Sequence, residues 1–372
     1  MKRSIPYGRQ SIDEKDIEAV TEVLYSNLIT TGPKVNAFEE ALCAYTGAKY
    51  AVAVANGTAA LHLASLVLLE EGDKVLTTPN TFLATANAIL YAGARPVFVD
   101  ITEEGNIDLD LCEKMLQKDL QIKALYAVAF SGKMFDQTKL ASLREKYGVT
   151  ILEDNAHAIG AESEGIRAGS CAHSDISIFS FHPVKNMTTG EGGAITTNES
   201  ALHERLLQLR NHGMVRKPEI APWYYEMTQL GFNYRLTDIQ AALGLGQLQK
   251  LDGFLVRRRE IAKRYHEAFV NSQVEPLYPF DEGSAYHLFV VRVQTDDKRA
   301  LFEKMIERGV GVQLHYIPVN KQPYYRKLGY GNEATPQMDR YYQEAISLPI
   351  YPTLGEEEQE YVIQILFEVL NG

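Results

Sequence analysis

A chain of 372 residues has room for two or three domains, and 45 % hydrophobic with 23 % charged residues is ordinary for a globular protein with a large buried core. The formal net charge of −11 argues against nucleic acid or an anionic membrane surface as the main partner, because clustered Lys and Arg meet such surfaces. Cys43, Cys112 and Cys171 are odd in number, widely spaced and never in a Cys-x-x-Cys pair, so neither a disulfide framework nor a zinc knuckle is suggested and a reducing cytoplasm fits.

The opening Met1 to Tyr7 does not lead into an apolar run, so no export leader is expected. Residues 50–69 and 77–94 lack formal charge, yet both carry Asn, Thr, Gly or Pro where a bilayer span would leave polar groups unpaired. Strand, turn and buried helix explain them better than a membrane span.

Short apolar β-type runs at 50–54, 75–77, 96–100, 124–130, 150–153, 176–181 and 193–197 alternate with helical patterns. That alternation predicts an α/β fold whose mostly parallel central sheet is flanked by helices, with chemistry gathered where strands end. From about residue 238 to 270 the pattern becomes one long helix, and a compact α+β pattern follows. We therefore expect a large domain over residues 1–250 and a smaller C-terminal α+β domain over 251–372, with no repeat and no Gly/Pro/Ser-rich linker between them.

The first chemical element is Asn56-Gly57-Thr58, where a strand runs through a small-residue turn into a helix. Free amides at a helix start can cradle a phosphate; the same residues also make an ordinary helix cap. Phe82 follows the next strand and is either a core residue or a ring that stacks on a flat cofactor. Asp154 closes the run 149–153, a costly place for a carboxylate unless a cation or donors meet it; a helix cap is the plainer reading. His157, three residues on, is either a satisfied core histidine or part of the same site.

Ser180 and Lys185 bracket the turn after the run 176–179, and Lys185 lies among apolar and small residues. A lysine turned inward there would have its pKa lowered and favour the neutral amine that forms imines. An acid and a lysine, each at the end of an apolar run, are what pyridoxal phosphate (PLP) needs: the lysine holds the cofactor as a Schiff base and the acid keeps the pyridine nitrogen protonated. Arg210, His212, Arg216 and Lys217 form the best local basic cluster, either a diphosphate site or a solvated loop, with Trp223, Tyr224 and Tyr225 nearby. No strand is followed by Gly-x-Gly-x-x-Gly, and no Walker-type loop or His-Glu-x-x-His motif is present.

These segments in this order resemble the DegT/DnrJ/EryC1/StrS sugar aminotransferases, PLP enzymes of fold type I. The likeness runs from segment 28–39 through Asn56-Gly57-Thr58, Asp154, Ser180 to Gly193, Arg210-Asn211-His212-Gly213, Gly231-Phe232-Asn233-Tyr234-Arg235-Leu236 and His315-Tyr316-Ile317-Pro318. It implies that Lys185 binds the cofactor (PLP, or its aminated form PMP), Asp154 pairs with the pyridine nitrogen, Phe82 stacks on the ring and His157 lies near its edge. It further implies that Gly57, Thr58 and Ser180 hold the phosphate, with Asn233 arriving from the second subunit of a homodimer. His182, His212, His315 and Tyr316, with Arg210, are expected to border a nucleotide-sugar pocket, and no metal is expected.

Within the family, Phe38-Glu39-Glu40-Ala41-Leu42-Cys43, Gly105-Asn106-Ile107-Asp108, Phe181-His182-Pro183-Val184-Lys185 and Asn211-His212-Gly213-Met214 resemble members of pseudaminic acid synthesis. Those aminate C4 of a UDP-linked 4-keto-6-deoxy-N-acetylhexosamine of β-L-arabino configuration with L-glutamate. Another nucleotide-linked keto sugar is the alternative. A PLP sugar dehydratase would carry histidine in place of Lys185, and a silent scaffold would tolerate loss of Lys185 or Asp154.

Overall fold

The computed structural model describes residues 4–371; Met1 to Arg3, part of the opening segment read as no leader, lie outside them. Helices α1 (Glu14–Tyr25) and α2 (Pro33–Thr46) precede β1 (Tyr50–Val54), α3 (Gly57–Leu68), β2 (Lys74–Thr77), α4 (Leu83–Tyr91), β3 (Arg95–Phe98), α5 (Leu109–Lys118) and β4 (Ile122–Val128). There follow α6 (Gln137–Tyr147), β5 (Thr150–Asp154), the ribbon β6 (Glu162–Ser163) and β7 (Ile166–Arg167), β8 (Ile176–Ser180), β9 (Gly193–Thr197) and α7 (Ser200–Arg210). All seven runs read from the sequence are strands of one sheet, ordered β1-β9-β8-β5-β4-β2-β3. Strands β3, β2, β4, β5 and β8 run parallel, while β9 is antiparallel to both β8 and β1.

The runs are apolar throughout because both faces of the sheet are covered, and their side chains alternate between two cores. Ala51, Ala53, Leu125, Ala127, Ile151 and Phe179 meet Phe38 and Leu42 of α2 and Leu140 and Leu143 of α6 on one face. Val52, Val54, Ala124, Tyr126, Leu152 and Ile178 meet α3, α4 and α7 on the other. Three runs end sooner than the sequence suggested, at Phe98, Val128 and Ser180; beyond Val128 the chain leaves the sheet in a 3-10 turn, Phe130 to Gly132, with Ser131 at φ +63°.

The chain then forms the hairpin β10 (Met214–Arg216) and β11 (Tyr225–Met227) and the 31-residue helix α8 (Asp238–Ala268). A three-stranded antiparallel sheet of β12 (Val274–Pro276), β13 (Phe289–Val293) and β14 (Ala345–Leu348) follows. With it go α9 (Lys298–Glu307), α10 (Pro323–Lys327), α11 (Pro336–Glu344) and α12 (Glu356–Asn371). Leu248, Leu251 and Leu255 of α8 belong to the core of the large sheet, whereas Ile261, Ala262 and Tyr265 belong to that of the small one. The change of core thus falls between Leu255 and Ile261, later than the boundary at residue 250 drawn from the sequence. Ile5, Ile101 and Phe130, from the first part of the chain, join the second core as well. Among the described residues no helix is long and apolar enough to cross a membrane.

Arg258 sits at that change of core, fully buried. Its Nη1 donates to the carbonyls of Tyr286, His287 and Ile350 at 3.1, 3.3 and 3.1 Å, and burial lowers its pKa to about 9.

Alternation along β5 sends Glu153 and Asp154 to opposite faces. Glu153 is 2 % exposed and accepts from Asn155 Nδ2 at 2.9 Å; burial pushes its pKa up, against the bonds from Asn155 and Ser174. A raised native pKa means no cost while the carboxyl is protonated in both states, and a cost that grows as pH rises from the ordinary Glu value of about 4.3 through the native one. Glu153→Gln keeps an acceptor for Asn155 and removes the charge. It should raise the melting temperature of the apoprotein by about one degree at pH 8, an effect of about 1 kcal/mol, and leave it unchanged near pH 4; a scan of melting temperature against pH for both proteins checks this.

Candidate active site

The C-terminal ends of β4, β5 and β8 open into a cavity of about 680 Å³, closed on the far side by residues 313–317 of the small unit. Ligands of open α/β sheets bind at such strand ends, outside the carboxyl edge. Gly57, Thr58, Phe82, Asp154, His157, Ser180, His182, Lys185, His315 and Tyr316, all named from the sequence, line this one space.

Asn56 caps α3 through its side chain, which accepts from Ala59 N–H at 2.8 Å, so the amides of Gly57 and Thr58 head the helix without intrahelical acceptors. A Cβ on Gly57 would come within 2.9 Å of Ser180 Cβ, which brings the helix start against the end of β8 and sets the Ser180 hydroxyl beside those amides. Amides, a hydroxyl and the positive end of a helix make an anion cradle.

Asp154 is 4 % exposed at the last position of β5. Thr85 Oγ1 donates to its Oδ2 at 2.6 Å and Ala156 N–H to its Oδ1 at 3.1 Å. Thr85 therefore has no proton left for Thr81, whose hydroxyl, 2.7 Å away, is the donor of that pair. Burial raises the pKa of Asp154, against Thr85, Ala156 and the charge of Lys185. Lys185 lies half-buried after β8, and its pKa is lowered to about 8 by burial, with Asp154 pulling it upward. Phe82 is 56 % exposed as the N-cap of α4 and its ring stands 6.0 Å from that of Tyr316, so it is a cavity residue rather than a core one.

His157 Nδ1 accepts from Ser131 N–H at 3.3 Å, which leaves the proton on Nε2 for Tyr316 Oη at 3.0 Å. Burial holds His157 well below the usual histidine range, with the charge of Lys185 adding to it. His315 Nδ1 lies 2.9 Å from Ser347 Oγ, and burial lowers its pKa to about 3. Tyr7, Thr85, Glu191, His287, Gln313 and Gln322 also line the cavity and were not assigned to it from the sequence. Only Thr85 and Glu191 stood in segments already singled out; nothing local marks the rest.

The basic cluster does not reach this space. Arg210 pairs with Glu39 at 2.5 Å and donates to the Ala53 carbonyl at 2.8 Å, so it ties α7 to α2 and β1 instead of waiting for an anion. Lys217 pairs with Glu226 across the β10–β11 hairpin at 2.6 Å. His212 occupies a turn with φ +61°, and neither it nor Asn233, which is exposed and bridged to Asn211, lines the cavity of its own chain. Among the described residues no group of three or more His, Cys, Asp or Glu is placed to hold a metal ion.

The model of the DegT/DnrJ/EryC1/StrS aminotransferase family matches residues 10–367. The UDP-4-amino-4,6-dideoxy-N-acetyl-beta-L-altrosamine transaminase of Campylobacter jejuni is 40 % identical over 99 % of this chain and 98 % of its own. The structure of Helicobacter pylori PseC, an aminotransferase involved in the biosynthesis of pseudoaminic acid, superposes with a TM-score of 0.94 at 32 % identity over 99 % of this chain and all of its own. The Streptococcus pneumoniae protein Spr1654 in its PLP form gives 0.91 at 30 % identity, over 99 % of each chain. The fold is that of an aminotransferase. The chain belongs to the DegT/DnrJ/EryC1/StrS aminotransferase family.

Arg210 and Glu39 are 15 % and 14 % exposed, so removing one leaves a largely buried charge. Arg210→Ala should cost about 3 kcal/mol of stability, read as a lowered urea midpoint with unchanged slope.

Proposed function

We propose that the protein is a PLP-dependent nucleotide-sugar aminotransferase that moves the amino group of L-glutamate to C4 of a UDP-linked 4-keto-6-deoxy-N-acetylhexosamine of β-L-arabino configuration. The product is UDP-4-amino-4,6-dideoxy-N-acetyl-β-L-altrosamine, for pseudaminic acid synthesis. The observation that carries the reaction class is the meeting of Lys185, Asp154 and the start of α3 in one cavity. The substrate rests on full-length likeness to the Campylobacter jejuni transaminase and to PseC.

The residues fit the cofactor. The amides of Gly57 and Thr58 with the Ser180 hydroxyl suit its phosphate, and Gly57 leaves no room for a side chain there. A buried carboxylate bonded to Thr85 and Ala156, with no guanidinium or ammonium in hydrogen-bond contact, suits a pyridinium N–H. Phe82 offers a ring face, and His157 a ring fixed by Ser131 and Tyr316. When bound, PLP supplies an electron sink that makes the α-hydrogen of an amino acid acidic. Lys185 would hold the cofactor covalently, be displaced by the donor's amine, and then carry the proton from the donor's α-carbon; in the second half it returns a proton to C4 of the sugar. Asp154 would keep the pyridine nitrogen protonated, and residues 313–317 of the small unit would cover it.

Homodimerisation with shared sites belongs to the same reading. Asn233 would reach the phosphate of a second copy, and the exposed Trp223, Tyr225, Met227 and Leu230 on and beside the β10–β11 hairpin supply apolar surface for the contact. A cytoplasmic location fits the unbonded Cys43, Cys112 and Cys171.

The visible spectrum of the PLP-loaded protein tests the assignment. L-glutamate should abolish the cofactor's absorption band and the β-L-arabino 4-keto sugar should restore it, and Lys185→Ala should abolish both changes; normal turnover in that variant would refute the role of Lys185. Because the free amine is the nucleophile, the rate at which apoprotein captures PLP should rise with pH and level off above about 8. Stopped-flow absorbance between pH 6 and 10 measures it.

A further inference from the structure

Four imidazoles line the cavity, and the protein satisfies them unequally; His182 is exposed, and the other three are buried. Both ring nitrogens of His157 are engaged, by Ser131 and Tyr316, and Nδ1 of His315 is engaged by Ser347. His287 is 4 % exposed, and neither of its ring nitrogens makes a hydrogen bond among the described residues; Nδ1 is wholly buried. Its ring lies 4.4 Å from that of His157 at 46°. Burial, then the positive charge of Lys185, keeps it neutral.

The backbone of His287 is held firmly. Its carbonyl accepts from Arg258 Nη1 at 3.3 Å, and a Cβ on Gly132 would come within 3.0 Å of its amide nitrogen. A ring fixed there only to fill space against His157 would do better as phenylalanine, since unpaired ring nitrogens away from water cost free energy that C–H groups do not. Nε2, the ring nitrogen that is not wholly buried, points to a ligand.

Charge narrows the ligand. Among the described residues lining the cavity Lys185 is the sole lysine or arginine, and Asp154 and Glu191 are carboxylates. An amino acid whose amine displaces Lys185 from the cofactor brings its carboxylate into the same space, where no guanidinium among the described lining residues meets it. A neutral N–H donor in a water-poor wall is the group that can.

We propose that His287 is a substrate-binding residue whose free ring N–H donates to a carboxylate oxygen of the amino-acid donor while the donor's amine displaces Lys185, which leaves as the free amine. The inference rests on the aminotransferase reading above and assigns the donor's anchor within it.

Two variants of the PLP-loaded enzyme test it. His287→Phe keeps the ring against His157 without either nitrogen, and His287→Gln keeps an N–H donor. Single-turnover absorbance gives the concentration of L-glutamate at half-maximal rate for the donor half, and the same quantity for the keto sugar starting from the aminated enzyme. Apoprotein melting temperature and PLP affinity are measured beside them. His287→Phe should raise the glutamate value by about tenfold or more and the sugar value by less than about threefold, with melting and PLP affinity near those of the parent; His287→Gln should recover most of the loss. The proposal is overturned by an unchanged glutamate value in His287→Phe, by equal losses in both halves, or by a loss that follows weakened PLP binding or melting. Failure of the unmodified enzyme to react with any amino acid would overturn the aminotransferase reading itself, a result these variants do not produce.

Discussion

The carboxylate of Asp154 governs the design of the site. It lies at the end of a strand covered on both faces, where burial raises its pKa and no cation among the described residues touches it. Buried charge without a partner costs several kcal/mol, so such a group either takes up a proton or awaits a cation. Two donors, Thr85 and Ala156, hold its oxygens in place, and the Thr81–Thr85 pair fixes the direction of the bond from Thr85. The sheet thus presents an oriented acceptor whose natural complement is a ring N–H entering from the cavity.

The remaining electrostatics follow from keeping that cavity poor in water. Burial lowers the pKa of His157, His287 and His315 and lowers that of Lys185 to about 8. At pH 7 a pKa near 8 leaves about one lysine in ten as free amine, enough for imine formation without a separate base to uncover it. Neutral imidazoles beside it add hydrogen bonds without adding positive charge, which would lower the lysine further and weaken Asp154's claim on a cationic ring. One low-dielectric space therefore supports an amine that reacts and an acid that awaits a cationic partner.

The large sheet was legible in the sequence because strands buried on both faces are short continuous apolar runs, and all seven stood out. Asp154, Ser180 and Lys185 were legible for a related reason: polar residues at the ends of such runs interrupt a pattern. His287 interrupts nothing, since it precedes β13 in an ordinary stretch and reaches the cavity only because the small unit folds back over Gly132. Tyr7, Gln313 and Gln322 come from segments equally far from the strand ends along the chain. The ion pairs of the basic cluster were not legible, because spacing shows which charges are near one another and not which are already neutralised. Glu39 is 171 positions from Arg210, and their ion pair exists only in the folded chain.

The same long-range closure explains why the two cores share one helix. The cavity has its floor on the large sheet and its far wall on the small unit, so any slip between them would move His287 and Tyr316 relative to Lys185. Helix α8 runs through both cores, and at the change of core it carries Arg258, bonded to the carbonyls of Tyr286, His287 and Ile350. An aliphatic side chain would bury there at less cost, but it would leave three carbonyls to find other donors and would accept several positions of the loop that bears them. A guanidinium with directed bonds accepts one. The depressed pKa of Arg258 reports that trade, in which desolvation of a charge is tolerated because it fixes the wall of the cavity to the helix that also packs its floor.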